Sequence, residues 1–188
     1  MNEAERRRIE DYVKPLAVGL DGVTNYGDIE RAVSAAEAIA SGLADDSLDA
    51  DLVFLLAVFS GQEKWMSRMG HRSRSEIFLE SQGVPRRRIA ALFRGLARFG
   101  TSPQSPEERV VHDAVLLDSM GAYGVARALA DAYRERLDIR EMAAAIEEAA
   151  AAPLLTEPAR ALAQPRRRAM LDFAARLRAE LAEFSGKA

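Results

Sequence analysis

Apolar positions recur every three or four residues along most of the chain, which is the period of an amphipathic α-helix. No stretch alternates between apolar and polar residues for long, so the pattern predicts no strand. Glycine and proline fall mainly between the periodic segments. The pattern therefore predicts an all-α bundle of seven to nine helices. The expected helices cover about residues 3–20, 28–43, 51–59, 73–82, 86–99, 107–120, 122–136, 139–152 and 157–184.

Several local signals refine these helices. The third helix, DLVFLLAVF, is apolar all round, which predicts a place in the middle of the bundle. Asp49 or Asp51 is a candidate cap for its first turn. The stretch SPEE at 105–108 is a good helix start, with Ser as cap and Pro at the first helical position. Pro15 predicts a kink or a change of direction in the first helix, and Pro165 interrupts the last one, which leaves open whether it is one helix or two.

Composition then limits the function. The chain has 188 residues with no repeat and no second apolar core, so it predicts one domain over 1–188, with a disordered tail at 185–188. With no Cys and two His, thiolate sites, Cys nucleophiles and sites built from three histidines are excluded. The net charge of -3 gives no electrostatic case for nucleic acid. No signal core or membrane-length apolar run is present, so the expected location is the cytoplasm.

The most unusual stretch is VVHDAVLLDSMGAYGVARAL, residues 110–129. Asp113 falls near the middle of a mostly apolar helix, so its carboxylate is expected to be buried and therefore paired, hydrogen-bonded or metal-bound. The part DAVLLDSMGAYGVAR resembles the late motif of bacterial HD-domain phosphohydrolases, D-A-D-R-L-D-A-L-G-A-I-G-I-A-R. The resemblance continues in the right order through 9–33, 55–61, 78–100 and 154–181. It therefore implies an HD-like helical fold for nearly the whole chain.

The departures from the family pattern change what the resemblance implies about chemistry. HD-domain phosphohydrolases hold one or two divalent metals with a His, a His-Asp pair and a distant Asp. Here the first His position matches Asp28, the His-Asp pair matches Ser60-Gly61, and a later histidine matches about Phe99. Of these metal-ligand positions, only the last one keeps the residue type of the family pattern, as Asp113. We therefore expect no metal centre and no other cofactor, and no metal-activated water to act as nucleophile.

Three hypotheses follow from this loss. In the first, the former metal cavity is a metal-independent site for a small organic molecule of specialised metabolism. Asp28 and Asp113, with Tyr26, are its acid and base candidates for proton transfer, elimination, cyclisation or isomerisation. The candidate substrate contacts are Ser60, Trp65, Phe99, Tyr123, Arg72 and His71. Neither nucleic acid nor membrane is an expected partner, and a homo-oligomer is left open.

In the second hypothesis the chain is a non-catalytic pseudoenzyme that binds a ligand or a partner protein, with its cavity filled. The third is a residual phosphohydrolase in which Asp28 and Asp113 hold Mg²⁺ or Mn²⁺. Simpler interpretations also exist for single residues. Trp65 either fills the vacated volume or covers the end of the buried helix, and Tyr26 packs at a loop.

Other polar residues have similarly plain explanations. His71 is interpreted as a solvated loop residue. His112 is interpreted as a surface or supporting residue, because adjacent helical residues point about 100° apart and cannot both face one pocket. The arginine runs at 86–88 and 166–168 are expected to be solvated faces.

Overall fold

The computed structural model describes residues 1–17, 26–62 and 70–185, and the statements below refer to these residues. They contain nine α-helices, one short 3₁₀ helix and no strand, which confirms the all-α prediction. The helices are α1 Glu3–Val13, α2 Tyr26–Leu43, α3 Ala50–Phe59, α4 His71–Ser81, α5 Arg86–Arg98, α6 Pro106–Asp118, α7 Gly121–Arg134, α8 Ile139–Ala151 and α9 Glu157–Ser185; the 3₁₀ helix is Lys14–Leu16.

The chain divides into two compact units, Met1–Val115 and Leu116–Ala188. The expectation of one domain over the whole chain stays a prediction. α9 runs to Ser185, and the expected disordered tail at 185–188 also stays a prediction. The remainder of that tail, residues 186–188, lies outside the described residues.

In the first unit, α3 forms the centre of the core. Every residue from Leu52 to Phe59 is buried, and α3 packs against α2 and α5. The predicted central place of this apolar helix is therefore confirmed. Asp49 caps the helix by accepting hydrogen bonds from the backbone N–H groups of Asp51 and Leu52, both at 3.1 Å. α1 ends at Val13, earlier than predicted, because Pro15 lies in the 3₁₀ helix that follows.

In the second unit, α7, α8 and α9 pack against one another. Most of their buried residues have small side chains, among them Ala132, Ala143, Ala150, Ala159, Ala163 and Ala174. α9 runs without a break through Pro165, so it is one helix and the predicted interruption is wrong. Pro165 is exposed, and a proline in a helix removes one backbone hydrogen bond without having to end the helix.

None of the helices in the described part of the chain combines the length and the apolar character needed to cross a bilayer.

Candidate functional site

The buried carboxylate of α6 is in contact with the histidine that precedes it. Asp113 is 0% exposed, as its place in an apolar helix predicted. The Nδ1 atom of His112 lies 3.1 Å from Oδ1 of Asp113, and the His112 side chain is 17% exposed. Although the two residues leave the helix in different directions, the imidazole turns back to the carboxylate. The interpretation of His112 as a surface or supporting residue stays a prediction; the structure shows that its side chain contacts the buried acid.

Asp28 lies in the first turn of α2 and is 8% exposed. Its Oδ1 atom forms an ion pair with the guanidinium of Arg31, one turn further along the same helix. An acidic side chain in a first turn and a basic one three residues later both favour a helix. The Asp28 carboxylate is therefore paired within its own helix.

Ser60 and Gly61 end α3 at the position where the resemblance places the His-Asp pair. The Ser60 hydroxyl donates to the carbonyl oxygen of Ala57 at 2.7 Å and is buried. Gly61 has φ 78°, in the left-handed region that glycine adopts without strain and that commonly ends helices. Gln62 follows and is 6% exposed. Two buried polar residues thus flank the point where the chain leaves the apolar core.

Tyr26 is the first residue of α2 and is half-buried. Burial, then the negative charges of Glu10, Glu30 and Asp11, raise the pKa of its phenol above its ordinary value. The Lys14 ammonium lies 5.1 Å from the centre of the ring, a cation–π distance. The raised pKa favours the neutral phenol, which can donate a hydrogen bond.

Three further predicted contact residues lie in the first unit. Phe99 follows the last residue of α5, and His71 is the first residue of α4; both are half-buried. Arg72 is exposed, with Nε 2.8 Å from Glu76 Oε1 and its guanidinium 4.9 Å from the centre of the Phe93 ring. Arg72 is thus engaged by side chains of α4 and α5.

Two other predicted residues fall elsewhere. Trp65 lies outside the described residues. Tyr123 lies in α7 of the second unit and is exposed. The remaining predicted site residues belong to the first unit, Met1–Val115. The contact between His112 and Asp113 was not predicted from the sequence.

The described residues do not fit the divalent-metal centre that the family resemblance implies. Within residues 1–17, 26–62 and 70–185, no three His, Asp or Glu side chains come together in a way that could hold a metal ion. Ser60 Oγ donates to its own helix, and the Asp28 carboxylate faces a guanidinium, which competes with a cation for the same oxygens. Gly61 has no side chain to offer.

Comparison with known proteins identifies the fold. No protein-family model and no curated protein matches the chain by sequence. Among solved structures, Lin1889 of Listeria innocua matches with a TM-score of 0.76 and 20% identity over 97% of this chain and 98% of that one. An HD-superfamily hydrolase of Bacillus thuringiensis matches with a TM-score of 0.71 and 17% identity over 96% and 98%.

A third match is Bacillus subtilis YpgQ, solved in complex with ADP, with a TM-score of 0.71 and 21% identity over 94% and 95%. The chain therefore has the same helical fold as these proteins, one of which is an HD-superfamily hydrolase. At these identities the likeness concerns the fold and not the activity.

Proposed function

We propose that this HD-fold chain binds a small organic molecule in its first unit and acts on it by proton transfer without a transition metal. The observation that carries the proposal is the contact between Asp113 and His112. A fully buried carboxylate cannot meet solvent, but it can hold an imidazole in one orientation and tautomer. The half-buried His112 is then the group that exchanges a proton with the bound molecule.

In this proposal the two acids have different roles. Asp113 positions His112, while Asp28, with the protonated phenol of Tyr26, remains a candidate for the second proton-transfer group. The reaction proposed is of the acid–base kind: proton transfer, elimination, cyclisation or isomerisation. We further propose that the chain acts in the cytoplasm, in specialised metabolism, with neither nucleic acid nor membrane as partner.

A non-catalytic pseudoenzyme is the second candidate, and the engagement of Asp28 by Arg31 and of Ser60 by Ala57 favours it. These groups are already bonded within their own helices, as in a structural core. A ligand can still bind to such a protein. In that case wild type binds its ligand but does not convert it.

The test is a binding and turnover screen of the purified chain, with and without a chelator. Nucleotides are the first compounds to try, because YpgQ was solved with ADP. We expect His112→Gln and Asp113→Asn to lower turnover by about 100-fold or more, the usual contribution of a positioned acid or base, while binding persists. The control is Glu148→Gln, a change at an exposed position of α8 in the second unit, which should leave turnover unchanged.

The remaining outcomes separate the alternatives. Binding without turnover in wild type supports the pseudoenzyme. Turnover that disappears with chelator and returns with Mg²⁺ or Mn²⁺ supports a residual phosphohydrolase and contradicts the metal-free proposal.

A further inference from the structure

The long helix α9 presents a regular series of residues to solvent. Positions spaced alternately by four and three residues, the spacing of a seam between two helices, are all exposed. We call this series the α9 seam. It consists of Ala161, Pro165, Arg168, Asp172, Ala175 and Ala179. At 100° per residue the seam lies opposite the side of α9 that carries the buried residues Ala163, Met170 and Ala174.

Two opposite charges lie in the middle of the α9 seam, and α9 itself does not pair them. Arg168 and Asp172 are one turn apart, a spacing at which side chains of one helix can form an ion pair. Nearer the start of α9, Arg160 uses this possibility and binds Glu157 at 3.0 Å. In the described part of the chain no ion pair joins Arg168 to Asp172, and both are exposed. Both charges are therefore available to another molecule.

The α9 seam has the same character when it is followed in either direction from residue 170. Two-fold symmetry brings positions equally far from such a point opposite each other in two antiparallel helices. The positions paired in this way are Arg168 with Asp172, Pro165 with Ala175, and Ala161 with Ala179. A second copy of α9 therefore offers the opposite charge to each central charge and a small side chain to each small one.

An exposed leucine near residue 170 fits the same arrangement. Leu171 is 47% exposed. It borders a surface groove of about 350 Å³ together with Gln164, Arg167, Arg168 and Asp172. Because Leu171 is one residue from the two-fold point, Leu171 of the second copy would enter the groove beside it. Burial of an exposed leucine on each copy favours association.

We propose that α9 is a dimerisation helix, which binds α9 of a second copy of this chain in antiparallel orientation along the α9 seam. The contact from Ala161 to Ala179 extends over about 27 Å. Arg168 and Asp172 form two reciprocal ion pairs across the two-fold axis, and the alanines let the helices approach closely. The interface uses α9 of the second unit alone, so it does not depend on the proposed function.

The first arm of the test is the oligomeric state of the purified wild-type chain, measured by sedimentation velocity over a range of concentrations. We expect a monomer–dimer equilibrium in which the dimer predominates at about 100 μM chain. This arm needs no variant. A chain that stays monomeric up to that concentration overturns the proposal.

The second arm reverses one charge at a time. Arg168→Asp places negative charges opposite each other and Asp172→Arg places positive ones, so each variant should dimerise at least about tenfold more weakly. The control is Arg87→Asp, the same change at an exposed position of α5, which should leave the equilibrium unchanged. A dimer that neither seam variant weakens uses another surface and overturns the proposal.

An equimolar mixture of the two seam variants is the third arm. One chain then carries two negative charges at the centre of the seam and the other carries two positive charges, so a mixed dimer regains both ion pairs. We expect the mixture to recover the wild-type affinity to within about threefold. A mixture that dimerises no better than the separate variants overturns the proposal.

The fourth arm tests the orientation and uses the fact that the chain has no cysteine. In the antiparallel dimer Ala161 faces Ala179 of the second copy. A mixture of Ala161→Cys and Ala179→Cys chains should therefore form a disulfide-linked dimer on mild oxidation, whereas either variant alone should not. Crosslinking of either variant with itself, or none in the mixture, overturns the proposal.

Discussion

The first turn and the middle of α6 each bury a carboxylate, and the two are held very differently. Glu108, 7% exposed, binds the guanidinium of Arg98 through both of its oxygens. It also accepts from the backbone N–H of Gln104 at 2.8 Å, and its own N–H donates to the Ser105 hydroxyl at 3.2 Å. Glu108 thus ties α5, a loop and the start of α6 together.

In the middle of the helix, Asp113 is buried more deeply and contacts the imidazole of the adjacent residue. Strong, charge-assisted bonds to a guanidinium and a backbone N–H are typical of a structural ion pair. A carboxylate on an imidazole that still reaches solvent is typical of an arrangement that directs a proton. From this comparison we expect Glu108 to serve the fold, and the proposed role of Asp113 in the site is tested against it below.

Replacement of Glu108 should have the largest effect on stability. Glu108→Ala removes a buried partner of Arg98 and leaves the guanidinium without its carboxylate, so we expect a loss of about 3 kcal/mol in the free energy of unfolding. Asp113→Asn, which keeps the size of the side chain and one acceptor oxygen, should lose about 1 kcal/mol. Urea unfolding followed by circular dichroism measures both values.

Glu148→Ala, at an exposed position of α8, is the matched control and should change stability by less than about 0.5 kcal/mol. If Asp113→Asn destabilises the chain as much as Glu108→Ala, Asp113 is also a structural residue. The contrast between the two regions would then be wrong.

Gly95 of α5 allows the close approach on which the Glu108 cluster depends. A Cβ at this position would lie 2.7 Å from Leu56 Cδ2 and 3.3 Å from Glu108 Cγ. Gly95→Ala should therefore destabilise the chain by about 1 kcal/mol, since overpacking outweighs the better helix propensity of alanine. The same unfolding measurement applies.

Leu56→Val provides the control for Gly95→Ala, because valine lacks the clashing δ-carbon. In that background Gly95→Ala should be less destabilising than in wild type. An equal loss in both backgrounds would show that the close approach is not the cause.

Local signals in the sequence predicted much of the fold. The apolar pattern of α3 gave its central place, and the residues before α3 and α6 act as caps as expected. Signals of this kind depend on neighbours within one helical turn. The arginine runs were predicted only in part: Arg86, Arg87 and Arg168 are exposed as expected, but the other three have partners that are distant in sequence.

Arg88 binds Asp49 at 2.9 Å, 39 residues away. Arg166 donates to the carbonyl of Leu117 at 2.7 Å, and Arg167 donates to that of Ala152; both carbonyls are at helix ends. These arginines hold helix termini and are not simply solvated. The burial of Asp113 followed from its apolar helix, but its contact with His112 depends on a side-chain rotamer that no pattern encodes.

The smallest expected effect is a pH dependence that separates the two carboxylates. Burial alone would raise the pKa of Glu108. The Glu108 carboxylate also accepts hydrogen bonds from the Arg98 side chain and from the backbone N–H groups of Gln104 and Ser105. Together with the Arg98 charge, these bonds lower the pKa below its ordinary value of 4.5. A carboxyl with a lowered pKa in the folded state contributes stability that is fully present above its unfolded pKa. That contribution is lost as the pH falls through the folded pKa.

The urea midpoint should therefore fall as the pH is lowered from about 6 to about 3, and it should fall less in Glu108→Gln, which has no carboxyl to protonate at this position. Part of the pH dependence of stability should remain in that variant, because the pKa of Asp49 is also lowered. Arg88 is the chief cause of that lowering, which acts against the effect of burial. Equal slopes in wild type and Glu108→Gln would mean that the Arg98 pair does not hold Glu108 ionised in the folded chain. The ion pair of Glu108 in the first turn of α6 would then no longer distinguish it from Asp113 in the middle of that helix.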